Sequence, residues 1–185
     1  MLCRRSPHRC GPGRARLMRL LLATLLLGLP LRSQALDELP LKAAIIFNLL
    51  LFVEWPGESE LPPGAPLLLC ADRSGPLWPH LKLLQDRPVR QRRLELREVA
   101  SVDDQRGCQA WVLEEGGSRP LAARVPGTGA ALVIGDGQRA DDGGVVIALR
   151  MMNNRLQFDI DMAQARQQRL LLSSKMLRLA RVVRE

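Results

Sequence analysis

LLLCADRSGPLWPHLKLLQDRPVRQRRLELREV, Leu67–Val99, is the stretch that decides the fold class. It opens on Leu67–Ala71, a short apolar run of strand length. Leu77–Leu84 then reads as helix, with Pro79 early in it. Arg92–Val99 alternates, Leu94 and Leu96 facing one way and Arg93, Glu95 and Arg97 the other, which is the period of a half-buried strand. Strand, helix and strand in that order make the unit from which partly parallel sheets with helical cover are built.

Outward from this unit the alternation repeats. Downstream, Gln109–Leu113 predicts a strand, Pro120–Arg124 a short helix and Ala130–Ile134 another apolar strand. Gly144–Arg150 and Arg155–Asp161 flank MMNN, and Asn153-Asn154 suits a tight hairpin turn. Ser173–Val182 predicts a last helix, with Ser173 or Ser174 as N-cap and Leu177 and Ala180 in its apolar stripe. Upstream, ELPLKAAIIFNLLLFVEW (Glu38–Trp55) is apolar on nearly every face, the mark of a helix buried on more than one side. Pro56 closes it, because the residue before proline resists helix. GESELPPGAP after it is a loop dense in Pro and Gly. The expectation is one α/β domain over residues 36–185: a mixed, mostly parallel sheet flanked by helices, with a C-terminal β-hairpin and helix. A domain of that size buries roughly 68–70% of its chain's surface, enough for a single core.

The chain has 185 residues, with 27 Lys+Arg against 19 Asp+Glu and a formal net charge of +8. The excess is local. Residues 1–35 hold seven arginines and no carboxylate, which leaves 20 positive against 19 negative residues, or +1, over 36–185. A near-neutral domain with no Tyr, three Phe and three Trp offers neither the basic stripe nor the stacking platform of a nucleic-acid binder. Within the basic segment, MRLLLATLLLGLPLRSQA (Met18–Ala35) sets an arginine before an apolar core, with Ser33 and Ala35 at the −3 and −1 positions of a cleavage site. This is the layout of a secretory signal peptide, too short for a comfortable transmembrane span. Cleavage after Ala35 leaves 150 residues with no stable membrane insertion. Met18 alone starts a compact signal, so translation is expected to begin there.

Of four cysteines, Cys3 and Cys10 precede the cleavage site; Cys70 and Cys108 remain, both at strand ends. Two cysteines in an exported domain favour one disulfide. The alternatives are a metal or redox site, but a metal needs more ligands than His80 adds, and a thioredoxin-like site needs C-x-x-C. No metal or cofactor is expected. Gly135-Asp136-Gly137-Gln138-Arg139-Ala140 matches a dinucleotide fingerprint in letters, yet Asp141-Asp142-Gly143-Gly144 interrupts the helix that pyrophosphate requires. Arg87, Arg90, Arg92, Arg93 and Arg97 are interspersed with Asp86, Glu95 and Glu98 and read as a solvated face. Asp159 and Asp161 share a strand face and read as a surface patch. No nucleophile–base constellation accompanies them, so the protein is not expected to be an enzyme.

Several segments together resemble one known family. KAAIIFNLLLFVEWP (Lys42–Pro56) resembles the opening helix signature of the YfiR-like periplasmic family. LVIGDG, GGVVIAL and RLQFDIDMAQA, then LLLSSKMLRLARVV, resemble its C-terminal half in order and spacing. Cys70 and Cys108 fall where that family places its paired cysteines, and Asp159 and Asp161 depart from its usual Glu and Asn. The resemblance spans nearly all of residues 38–183. It implies an α/β domain, often dimeric, without known catalysis. The best-understood members are periplasmic repressors that bind the periplasmic sensor region of an inner-membrane diguanylate cyclase and hold it inactive. Release raises cyclic di-GMP and promotes biofilm formation. Redox or envelope stress, and an outer-membrane lipoprotein that sequesters the repressor, are the implied inputs.

The resulting expectation is a periplasmic negative regulator of a membrane signalling enzyme, acting through protein–protein contact. Such contact uses an apolar surface rimmed by charge. The C-terminal hairpin and the segment after it supply the candidates Arg155, Asp159, Asp161, Leu170 and Leu172. Ordinary core is the competing reading for the two leucines, and a solvated strand face for the two aspartates. The alternative functions are a small-ligand module with Trp78 or Trp111 lining its pocket, against core packing for each Trp, and a regulator of a membrane sensor kinase.

Overall fold

Leu67–Ala71 and Arg92–Glu98 lie side by side as parallel strands, with Leu67 opposite Leu94 and Leu69 opposite Leu96. The β-α-β reading of this stretch therefore holds. The structure is a computed structural model and describes residues 37–99, 107–114, 130–137 and 144–185. The expected signal peptide, the expected helix Pro120–Arg124 and the second half of the glycine fingerprint, residues 138–140, lie outside the described residues.

The elements are α1 (Glu38–Leu50), β1 (Val53–Glu54), a 3-10 turn (Glu58–Glu60), β2 (Pro66–Ala71), α2 (Trp78–Lys82), β3 (Pro88–Val89), β4 (Arg92–Glu98), β5 (Ala110–Glu114), β6 (Leu132–Asp136), β7 (Ile147–Met152), β8 (Arg155–Asp161), α3 (Met162–Gln167), β9 (Leu171–Leu172), α4 (Ser174–Leu179) and β10 (Val182–Arg184). Among the described residues the strands form one eight-stranded sheet, in the order β10-β8-β7-β6-β5-β2-β4-β3, and a ribbon of β1 with β9. From β4 through β2, β5 and β6 to β7 every pairing is parallel. β3 and β8 join antiparallel, and β10 runs parallel to β8. Residues 36–185 form one compact unit, a single mixed α/β domain with a mostly parallel sheet, as expected.

Both sheet faces are buried, which is why the central strands are continuous apolar runs. Leu67, Leu69, Val112, Ile134, Ile147 and Leu149 share one core with Ala43, Ile46 and Leu50 of α1. The opposite side chains, Cys70, Trp111, Val133 and Ala148, form a second cluster with Val99, Cys108 and Val145. Cys70 and Cys108 are bridged there, with Cα atoms 5.9 Å apart. Trp111 is core, as its competing reading had it.

The β7–β8 turn is the one its asparagines predict: Asn153 and Asn154 both take positive φ, 51° and 59°, the pair that a type I′ turn requires. Two helix ends differ from expectation. α1 stops at Leu50 rather than Trp55. Phe52 accepts a backbone bond from Ser173 N (2.9 Å), and Val53 and Glu54 pair with Leu172 and Leu171. Pairing to a strand distant in sequence overrides an apolar pattern that local periodicity would continue. The last helix begins where expected, with Ser173 Oγ accepting from Lys175 N at 3.2 Å, but ends at Leu179. Ala180 is extended, Arg181 N donates to Phe158 O (2.8 Å), and β-branched Val182 and Val183 complete an edge of the sheet.

Candidate functional site

The five residues expected to meet a partner are dispersed. Arg155 is exposed at the start of β8. Asp161 ends the same strand, roughly 20 Å away at strand rise, and is half-buried. Its Oδ1 accepts from Gln164 N (2.9 Å) and so caps α3. Asp159 is only 1% exposed. Arg181 Nη2 donates to its Oδ2, and Arg150 Nε stands 3.9 Å from the same oxygen. The surface-patch reading of Asp159 is thus corrected: two cations, nine residues before it and 22 after it, draw the carboxylate inward. Leu170 is buried in the main core and Leu172 half-buried against it, so the core reading holds for both.

Leu171, which the sequence reading passed over, is the side chain presented outward, at 66% exposure. Strand alternation accounts for this, since neighbours on β9 point to opposite sides. It stands beside two clefts. One, of about 520 Å³, lies between the segment Trp55–Pro63 and the turn Arg90–Arg92, with Arg169 and Leu171 on its rim. The other, of about 400 Å³, is walled by Leu51, Phe52, Leu172, Ser173 and Lys175. Arg90 borders both. It holds a left-handed backbone (φ 55°) and donates to Val53 O (3.0 Å) and Glu54 Oε1 (3.2 Å), which ties the ribbon to the β3–β4 turn. Trp55 Nε1 donates to Gln109 O (2.8 Å), fixing the cleft's inner wall on the sheet. Trp78 is half-buried on α2; neither it nor Trp111 lines either cleft.

The solvated-face reading of the arginine cluster also needs correction. Arg92 is 5% exposed, because it shares the inward face of Leu94 two residues on. Burial pulls its pKa down, and the charge of Glu58 acts in the other direction.

A second charged group sits at the carboxyl ends of β5 and β6. Lys42 Nζ contacts both oxygens of Asp136 (2.7 and 2.8 Å) and Glu38 Oε1 (2.6 Å). Glu114, paired across from Asp136, accepts from Leu77 N (3.1 Å). Gly75 passes so close to this carboxylate that a Cβ there would collide with Oε1. Burial pushes the Glu114 carboxyl up; the Leu77 N–H and Lys42 pull it down, Asp136 and Asp72 push it up, and the net position is above the ordinary 4.5. A raised acid contributes stability that is complete below pH 4.5 and is lost as pH rises through the folded-state value. Glu114→Gln keeps an acceptor for Leu77 and removes the titration. Its urea midpoint should therefore gain on wild type between pH 4.5 and 8. Parallel pH profiles for the two proteins would remove Glu114 from this role.

The arrangement fastens elements and presents a grooved, charge-rimmed apolar surface. Among the described residues no group of three His, Cys, Asp or Glu is placed to hold a metal, and no helix is long and apolar enough to cross a membrane. A comparison with curated proteins finds no match. The profile of the YfiR/HmsC-like family matches residues 40–181, which takes in both the opening helix and the C-terminal segment that forms the ribbon. On that match, over most of its length, the chain belongs to the YfiR/HmsC-like family.

Proposed function

We propose that this protein is a periplasmic negative regulator. It binds the periplasmic sensor region of an inner-membrane diguanylate cyclase, represses cyclic di-GMP synthesis and so restrains biofilm formation. Membership of the YfiR/HmsC-like family supports a regulatory, non-catalytic role of this kind. The signal-like segment Met18–Ala35 supports export, with cleavage after Ala35. The observation that carries the reading is Leu171, two-thirds exposed between two clefts with Arg90, Arg169 and Lys175 around it. An isolated exposed leucine means little, but one between grooves and rimmed by charge has the anatomy of a contact centre. Arg155 and Asp161 remain candidates at the two ends of β8.

Repression requires differential affinity: the regulator must bind the cyclase's off state more tightly than its on state. Turning a mostly active population into a mostly inactive one takes about 5.5 kcal/mol of difference. The test is cellular cyclic di-GMP in a deletion strain, restored with wild type or with Leu171→Asp. Wild type should lower the level and Leu171→Asp should fail to, with folding stability within about 0.5 kcal/mol of wild type, as for a surface change. No rise on deletion would overturn the cyclase reading and move the search to a sensor kinase or a small ligand. Full repression by Leu171→Asp would move the contact elsewhere.

A further inference from the structure

The cleft under Trp55 contains a charge that the regulatory reading does not use. Arg92 is 5% exposed, and its Nη2 donates to Pro66 O. Its Nε and Nη1 are buried and have no hydrogen-bond partner among the described residues. Glu58 stands nearby, but its carboxylate serves Trp55 N (3.4 Å) and Arg90 (3.8 Å). A buried guanidinium with two idle nitrogens is an expensive thing to keep, since a buried donor left unmade forfeits its hydration for nothing in return, the more so when charged. Such a group is usual where an anion completes it.

We propose that this cleft binds a small monocarboxylate with an apolar body, its carboxylate on Arg92. Three features of the lining select that chemistry. The volume, about 520 Å³, lies in the range of small-molecule sites. Arg90, Arg92 and Arg169 line it against Glu54 and Glu58, a surplus of one positive charge, which suits a monoanion and leaves a dianion facing two carboxylates. Trp55, Leu61, Leu171 and the prolines 56, 62 and 63 give the wall its apolar part, beside the neutral Ser59 and Gln91. Both idle nitrogens are shut from bulk water, so the carboxylate reaches them as rim side chains part, and Glu58 is the group expected to shift.

The test uses hexanoate as probe, with hexanol and sulfate as controls for apolar body and for charge, read by thermal unfolding and titration calorimetry. Hexanoate at a hundredfold over its Kd should raise Tm by roughly 5–10 °C, and the controls should not. Arg92→Met should abolish that gain and unfold at or above the wild-type temperature in probe-free buffer, because an apolar chain of similar length replaces a buried cation with two unbonded nitrogens. Should Arg92→Met fail to fold, the Nε–H resonance of Arg92 in wild type replaces it as readout. That resonance should move with hexanoate and stay fixed with hexanol. No gain with hexanoate, an equal gain in Arg92→Met, a fixed resonance, or an equal gain with sulfate (an adventitious ion only) would each overturn the proposal. None of these readouts involves the cyclase, so this proposal and the regulatory one fail separately.

Discussion

Lys42→Met is expected to cost about 3–5 kcal/mol of folding stability, the range found when one partner of a buried ion pair is removed. Lys42 and Asp136 are 11% and 12% exposed at their side chains, and the ammonium bridges both carboxylate oxygens. Methionine preserves the aliphatic stem, so the loss isolates the charge. What remains is an Asp136 carboxylate at the end of a buried strand that has lost the Lys42 ammonium. Desolvation alone would pull the Lys42 pKa down, but hydrogen bonds and charge from Asp136 and Glu38 outweigh it and raise the pKa above 10.5. That contribution is complete below pH 10.5 and is lost only as pH rises through the raised value, so it is intact at neutral pH. Glu38 is a useful contrast. It meets the same ammonium, but its side chain is 48% exposed and lies one turn away, so Glu38→Gln should cost only about 0.3–0.5 kcal/mol. Urea unfolding of both variants decides the matter: similar losses would mean that Asp136 is solvated by other means.

Reduction of Cys70–Cys108 should be the other large effect. The bridge closes a loop across a sequence separation of 38, worth about 4 kcal/mol in the chain-entropy estimate. For a domain of this size that is roughly 8–16 °C in Tm. The cysteines sit inside the second core cluster beside Trp111 and Val133, so reduced thiols still pack and the comparison isolates the cross-link. Unfolding with and without a phosphine reductant measures it, and coincident transitions would show the bridge to be idle. In the regulatory reading, loss of the bridge weakens repression through a smaller folded population rather than through thiol chemistry.

The parallel sheet was legible because its central strands are apolar on both faces and bounded by Gly, Pro and charge, while Arg92–Glu98 beside them alternates as a half-buried strand. The hairpin was legible from Asn153-Asn154 alone. What escaped depends on neighbours distant in sequence. Nothing near Phe52 announces that Ser173 will take its carbonyl and end the helix. Nothing near Asp159 announces Arg181. The site shows both limits. Leu171 and Arg92 each stand one residue from positions that were read correctly, and strand parity alone would have assigned their directions. Leu171 is flanked by two leucines that do turn inward, and Arg92 sits in a charged run whose other members do reach water. The depth of Arg92 and its two unbonded nitrogens are properties of the packed molecule, and no composition or spacing announces them.

The bond from Lys42 to Asp136 joins residues 94 apart in the chain. Its consequence is one of timing. A chain made or threaded from its N-terminus presents α1, thirteen residues and apolar on nearly every face, long before the strand that fastens it exists. Until β6 arrives, that helix has only the part of its native shelter that the earlier elements supply, and non-local closure of this kind is slow. The interval, rather than the finished fold, is when this protein is most open to aggregation. A holdase that covers the first fifty residues would matter more to its yield than any gain in native stability.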